Sequence, residues 1–523
     1  MSTHTEPYAR RWQALGVLAA SLLIITIDNT ILNVALPSLR TELGADSSQT
    51  SWIVDSYLLV FASLLLVGGT LGDRFGRRRF LFAGLLVFGG GSILAAMSGG
   101  ANELIAARSL MGVGAAAIMP ATLSILTNIF PAEERPKAIA AWAAVSGLGV
   151  ALGPITGGLL LDYFSWQSVF LVNIPIVIAA LLFGKVLIPE SRDPEAPRVD
   201  VVGAVLSIAG LTSVVWGLIE ASERGWTDTT VLAAFAVGTA VLGAFAAWER
   251  KVAQPMIDIT IFRNLRFSAA SLSVMLVFFG LMGTVFMLTT YLQTVMGYSP
   301  LEAGVRMIPV AVGLIFGSRA AIVLTERFGT KLAVAGGLGV VAVGMQILSR
   351  AEIESGYGLV ATALVVMGFG LAIAMTPATE AIMGTLPKEK AGAGSAMNDV
   401  LRELGATLGV AVLGSILASK YAGGMDGSTD GLPAEAADAS VDSVDGAHTV
   451  AAELGDSAGS LVASADQAFV AAMGTTTDIA SAVALVGALV ALVLLPTRAK
   501  HPDDDAIQDA EAEVDEAAEP VLV

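Results

Sequence analysis

The sequence predicts an all-α polytopic membrane protein with fourteen membrane-spanning helices, and three observations carry that prediction. Apolar residues make up 55% of the 523 and charged residues only 14%, with a mean hydropathy of +0.74. A water-soluble fold of this size needs far more charge on its surface. The apolar residues recur in runs of about 20, each long enough to cross ~30 Å of hydrocarbon. The chain also repeats itself. LGDRFGRRR around Gly76 returns as LTERFGTK around Gly329, 253 residues later, and the Gly112–Pro131 spacing returns as Gly368–Pro387.

Along the chain the spans fall near 13–36, 50–71, 80–98, 102–124, 137–160, 168–188, 201–220, 230–248, 268–291, 302–324, 331–349, 358–384, 397–419 and 477–496. The first is too long for a signal peptide and lacks a small-residue cleavage site, so it reads as an uncleaved span. With the N-terminus inside, twenty-one basic residues flank the inner ends and four flank the outer ones, Arg40, Arg224, Arg350 and Lys420. That bias predicts a plasma (inner) membrane protein with both termini cytoplasmic. The repeat pairs spans 1–6 with spans 9–14 in one orientation and leaves spans 7 and 8 as an extra pair. The expected division is a bundle over 1–190, a linker with the extra pair over 191–260, a second bundle over 261–500 and an acidic tail over 501–523. Parallel halves place a substrate path at their interface near the bilayer midplane.

The net charge of −17 is concentrated in two places. Ten Asp/Glu and no base lie between Tyr421 and Asp478, and nine more lie beyond Pro502. The 421–476 segment is expected to be a solvated, poorly ordered outer loop, and the tail likewise. With no cysteine and three scattered histidines, no metal site or cofactor is expected. No phosphate-binding loop supports ATP drive. The expected partners are a small-molecule substrate, protons and the bilayer, with no nucleic acid, and the chain is expected to act as a monomer and not as an enzyme.

Charges inside the apolar runs mark the chemistry. A carboxylate in hydrocarbon costs several kcal/mol unless it is paired, hydrated or protonated, so it points to an ion or proton path. Asp28 lies ~12 Å below the outer end of span 1, and Asp55 in span 2 and Arg108 in span 4 lie ~8–9 Å deep. These three form the expected proton-coupling set; a permanent structural ion pair is the alternative. Glu380 in span 12 is the expected site for a substrate cation or a proton. Asp399, Arg402 and Glu403 open span 13 near the inner end, and Glu302 and Arg306 are spaced for an i,i+4 pair.

The loop from Gly69 to Arg79 needs Gly76 for a tight turn. Asp73 can accept hydrogen bonds from a neighbouring helix N-terminus, and the arginines Arg74, Arg77, Arg78 and Arg79 can pair with carboxylates across the two halves. Making and breaking those contacts would switch a rocking transporter; the simpler alternative is that the arginines only set topology. In span 5, Gly149, Gly153 and Gly157 recur every four residues beside Pro154 and Gly158. Such a face lets two backbones approach closely, whether for plain packing or for more.

The Gly69–Arg79 loop resembles the signature of the major facilitator superfamily, with a degenerate second copy at Leu324–Lys331. Asp28–Pro37, Arg108–Ala115 and Gly147–Gly158, followed by Trp166 and Asn173-Ile174-Pro175, resemble the fourteen-span drug:proton antiporters of the quaternary-ammonium and antiseptic exporter type. Met111 departs from the glutamine usual there. The resemblance implies two six-helix bundles with two inserted helices. It also implies proton-coupled export, by alternating access, of hydrophobic drugs or antibiotics, cations among them. The glycine–proline pattern of span 5 is then the exporter motif.

Methionines and aromatics suit varied apolar shapes, so Met111, Phe279, Met282, Phe286 and Met375 join Glu380 as the expected substrate surface, with lipid-facing or packed roles as the alternative. A dedicated exporter of one endogenous metabolite, lipid or osmolyte is the second reading. A membrane receptor or scaffold is the remote third.

Overall fold

A computed structural model describes residues 8–131, 133–193, 200–387, 390–455 and 459–496. Hydrocarbon cannot satisfy free backbone N–H and C=O groups, so apolar runs must close their own hydrogen bonds as helices. Helices account for every regular element among the described residues. The first bundle comprises α1 (Arg11–Leu43), α2 (Ser47–Phe75), α3 (Arg77–Ala96), α4 (Ala101–Ile129), α5 (Arg135–Tyr163), and a sixth crossing formed by α6 (Ser168–Leu171) and α7 (Asn173–Leu187). The inserted pair is α8 (Val201–Arg224) and α9 (Thr229–Glu249). The second bundle contains α10 (Leu265–Thr290) with a π-helical turn at Tyr291–Val295, α11 (Pro300–Arg306), α12 (Ile308–Leu348), α13 (Tyr357–Met383), α14 (Ala391–Gly424) and α17 (Gly459–Leu494). Between α14 and α17 lie the short helices α15 (Ala434–Asp442) and α16 (Val444–Leu454).

Thirteen helical stretches among the described residues are long and apolar enough to cross a membrane. One of them, Pro300–Leu348, runs for 49 residues and breaks at Gly329, where φ is +83° and ψ 166°. Two crossings meet there, giving the fourteen expected. Gly76 ends α2 with φ +107° and starts the return through α3. The two copies of the repeated loop therefore use the same device, a left-handed glycine between two crossings.

In the first bundle α1 packs on α5, and α2 and α3 pack on α4; in the second α10 packs on α14, and α12 on α13 and α17. The bundles meet along two seams, α2 and α4 against α14 on one side and α5 against α11, α12 and α13 on the other. The inserted α8 lies along the first seam and is tied to both bundles. Thr212 Oγ1 donates to Ser63 Oγ of α2 at 2.9 Å, and Trp226 Nε1 to Ser415 Oγ of α14 at 3.0 Å. Large apolar side chains such as Phe183, Leu489 and Val493 remain 61, 60 and 66% exposed, which only a lipid surrounding tolerates.

The 421–476 segment corrects the expectation of a solvated loop. It folds into α15, α16 and the first turns of α17. Val444, Ala447, Phe469 and Met473 are buried there with Tyr421 and Met425, over Leu288 and Tyr291 of the second bundle. Among the described residues most of its acidic side chains are exposed, Asp466 being buried against His448 Nε2 at 2.8 Å, while small and apolar residues point in, so charge alone was a poor guide to order. The tail over 501–523 lies outside the described residues. Glu302 and Arg306 also differ from expectation. The Glu302 carboxylate accepts from Ser299 N at 2.9 Å to cap α11, and Arg306 lies over the Tyr298 ring at 3.6 Å.

Candidate functional site

Span 1 delivers Asp28 to the middle of the first bundle, where it is completely buried. One carboxylate oxygen takes the Arg108 Nη1 hydrogen bond and the other accepts from Asn173 Nδ2 at 3.1 Å. Arg108, 1% exposed, also donates Nε to the Ile53 carbonyl at 3.2 Å, and its guanidinium lies 4.3 Å from the centre of the Tyr57 ring. Asn173 reaches on to Ser92 Oγ at 3.1 Å, and Ser92 donates to the Phe170 carbonyl at 2.8 Å. Two opposite charges in hydrocarbon are tolerable only when their remaining donors and acceptors are filled, and this network fills them from α1, α2, α3, α4, α6 and α7. Asp55 is half-buried on α2, and the carboxylate on Arg108 is that of Asp28.

The end of the molecule that carries Arg74–Arg79 is latched across the bundles. Asp73 Oδ1 accepts from Gly392 N at 2.9 Å and Oδ2 from Ala393 N at 3.1 Å, so the carboxylate sits on the N-terminus of α14. Arg77, 1% exposed, holds the same carboxylate through Nη2 at 2.7 Å. Arg78 and Arg79 lie 3.7 and 3.6 Å from Glu190, within their own bundle and not across to the other. Arg74 lies over the Phe75 ring at 5.4 Å. A side chain at Gly76 would meet Glu190 Oε1 at 2.7 Å, so its left-handed backbone and its small size are both needed. Outside the spans, hydrogen bonds from Arg11 hold the Glu134 carboxyl below the usual carboxylate range and tie α1 to the start of α5.

The glycines of α5 serve two faces. Gly149, Gly153 and Gly157 lie against Thr26, Thr30 and Ile31 of α1, where any added Cβ would overlap those side chains. Pro154 and Gly158 face the other bundle: Gly304 fits against Pro154, and a Cβ on Gly158 would stand 2.9 Å from Leu301 Cβ.

The charges of the second bundle lie deeper than their sequence position suggested. Because α14 begins at Ala391, Asp399 and Arg402 are ~12 and ~16 Å along it, not at its mouth. Asp399 and Arg402 are buried, with Nη1 to Oδ1 at 3.7 Å. Arg402 crosses the seam: Nη2 donates to Ser146 Oγ of α5 at 3.2 Å, and the guanidinium stands 5.3 Å from the Trp142 ring of α5 and 4.6 Å from Phe278 of α10. Glu403 is close enough for its charge to act on both Arg402 and Tyr57, which joins this set to the Asp28–Arg108 network. Glu380 is half-buried and interacts with Arg266 of α10 and Arg135 of α5, in the basic half of the molecule.

The expected substrate residues do not share one surface. Met111 is fully buried against Gly91 of α3, inside the first bundle, where the small glycine leaves room for it. Met375 is 5% exposed in the second bundle's core, Phe279 and Met282 are half-buried against that core, and Phe286 is 48% exposed beside Gly414.

The Major Facilitator Superfamily model matches residues 18–410. The chain belongs to the major facilitator superfamily. It is 39% identical over 488 residues to the "Multidrug efflux pump LfrA" of Mycolicibacterium smegmatis, covering 93% of this chain and 96% of that protein. It is 32% identical over 533 residues to the "Tetracenomycin C resistance and export protein" of Streptomyces glaucescens, covering 97% of each. Among solved structures, the proton:xylose symporter XylE superposes with a TM-score of 0.59 over 96% of this chain and 100% of that one, at 18% identity, a likeness of fold alone. As a superfamily member the chain is a transporter of small molecules and not an enzyme.

Within that fold, sequence reasoning missed Tyr57 and Ser92 around Asp28 and Trp142 and Ser146 around Arg402, and it gave Asn173 no part in holding Asp28. Asn173 carried a signal, a lone amide opening an apolar run. Tyr57 and Trp142 carried none, since aromatics are common in membrane helices.

Proposed function

We propose that this protein is a proton-coupled exporter of hydrophobic drugs or antibiotics, cations among them, working by alternating access as a single chain in the plasma (inner) membrane. The basic end that carries Arg74–Arg79 is cytoplasmic, as are both termini. The bundles over 1–190 and 261–500 rock about the central seams, with 191–260 inserted between them. The buried Asp28–Arg108 pair carries the coupling reading. Burial makes the charged pair depend on its internal partners, so a proton reaching Asp28 from an opened face removes the attraction to Arg108 and frees the guanidinium. The α2–α14 latch at Asp73 opens and closes the cytoplasmic mouth, while Asp55 and Glu380 tune the charge along the path. One proton moving across 100 mV supplies about 2.3 kcal/mol.

Everted membrane vesicles test this directly. Asp28→Asn is expected to abolish drug efflux driven by a pH gradient while the protein still inserts; full retention of pH-driven efflux in that variant contradicts the coupling. A dedicated export route for one endogenous compound is the second reading, favoured by the relative whose name carries the single compound tetracenomycin C. Survival of deletion and overexpression strains across a diverse drug panel separates the two.

A further inference from the structure

The geometry points to Arg402 as a built-in, displaceable cation that occupies the aromatic place a cationic substrate takes during export. This inference rests on the drug-export reading and adds what sets its selectivity. Arg402 is 7% exposed, and its guanidinium lies between the rings of Phe278 and Trp142, 4.6 and 5.3 Å from their centres. The Trp142 ring is pinned by its Nε1 bond to Thr122 Oγ1 at 3.1 Å, so its face stays presented.

The ordinary partner of such a buried guanidinium is Asp399, one turn earlier on α14. Yet the 3.7 Å from Nη1 to Oδ1 is too long for a hydrogen bond. Arg402 Nε and Nη1 have no acceptor among the described residues, and Asp399 Oδ2 and Asn398 Oδ1 have no donor. Buried donors and acceptors within one turn of each other rarely stay unmatched. Here the guanidinium is drawn onto the two rings, where a desolvated cation gains most from an aromatic face.

Asp399 is thereby left with its cation at 3.7 Å and no hydrogen bond to it, and Glu403 adds a second negative charge beside it. Two carboxylates against one arginine leave the cluster one positive charge short. A lipophilic cation meets both needs: its charged, apolar surface takes the rings, and Arg402 falls back onto Asp399. Trp142 belongs to the first bundle and Phe278 to the second, so the exchange replaces a bridge between bundles with the substrate itself. A neutral substrate has no reason to displace the arginine.

Full-length protein in detergent, titrated calorimetrically with tetraphenylphosphonium and with the neutral probe N-phenyl-1-naphthylamine, tests the assignment. Arg402→Met is expected to tighten tetraphenylphosphonium binding roughly tenfold and leave the neutral probe within about twofold, and Trp142→Ala in the same background should cancel the gain. Arg402→Lys keeps the charge but cannot cover both rings, so it should tighten cation binding by a smaller factor; it serves if the methionine variant does not fold. Unchanged or weaker cation binding in a folded Arg402 variant overturns the assignment, and continued pH-driven export of the neutral probe then leaves the drug-export reading standing. Wild-type protein that binds neither probe defeats both.

Discussion

Asp28 and Arg108 neutralise each other at the centre of the first bundle, and their environment decides how firmly. Removing one partner of such a pair costs about 3–5 kcal/mol because the other charge stays buried. The uncharged members matter by a gentler amount. Asn173 gives one hydrogen bond to Asp28 and one to Ser92, so Asn173→Ala leaves a carboxylate oxygen and a hydroxyl short of a donor. A loss of about 1–3 kcal/mol is expected, read as a lower thermal midpoint of the purified protein; an unchanged midpoint would mean that water replaces the amide. The two charges were legible in the sequence because a charge inside an apolar run stands alone. Tyr57 was not, because a phenol in a membrane helix is common, and the lone amide of Asn173 gained its role only through convergence in space.

At the scale of the element, α5 packs on its own bundle along one face and on the other bundle along the next. Gly153 lies against Thr30 and the Ile31 backbone of α1 within one bundle, and Gly158 lies against Leu301 in the other. Gly153→Val overfills a packed contact and should cost about 1–3 kcal/mol of stability. Gly158→Val should instead spare the thermal midpoint and slow transport, since it obstructs a surface that slides between states. Equal loss of midpoint in the two variants would show that the seam is as rigid as the bundle. The four-residue glycine spacing was visible in the sequence. Which helix each face meets was not, because spacing defines a face and says nothing of the neighbour it finds.

For the whole molecule, the outer segment changes what a deletion means. Were 421–476 a solvated loop, removing 425–470 would leave transport largely intact. In the folded protein that cut removes α15 and α16 and the first turns of α17, including buried Val444, Phe469 and Val470. Stripping the cover from Tyr291 and Leu288 is expected to lower both membrane yield and thermal midpoint, as fluorescence-detected size-exclusion chromatography would show; normal yield would mean the cap folds independently of the bundle. The inserted α8 acts at the same scale, because its Thr212 bonds Ser63 of one bundle and Trp226, just past its end, bonds Ser415 of the other.

The sequence by itself determined the class, the number of crossings, the duplicated halves and the two left-handed glycine turns. Each follows from local demands: hydrocarbon compels helices, runs of about 20 residues measure its thickness, and a sharp reversal needs glycine. Only the tertiary structure decided that Asp28 is shared by Arg108 and Asn173, that Met111 faces inward, and that Arg402 lies against two aromatic rings of opposite bundles with Asp399 3.7 Å away. Those outcomes depend on which faces meet across hundreds of residues of chain. There burial makes each polar atom choose among the few partners that packing brings within reach.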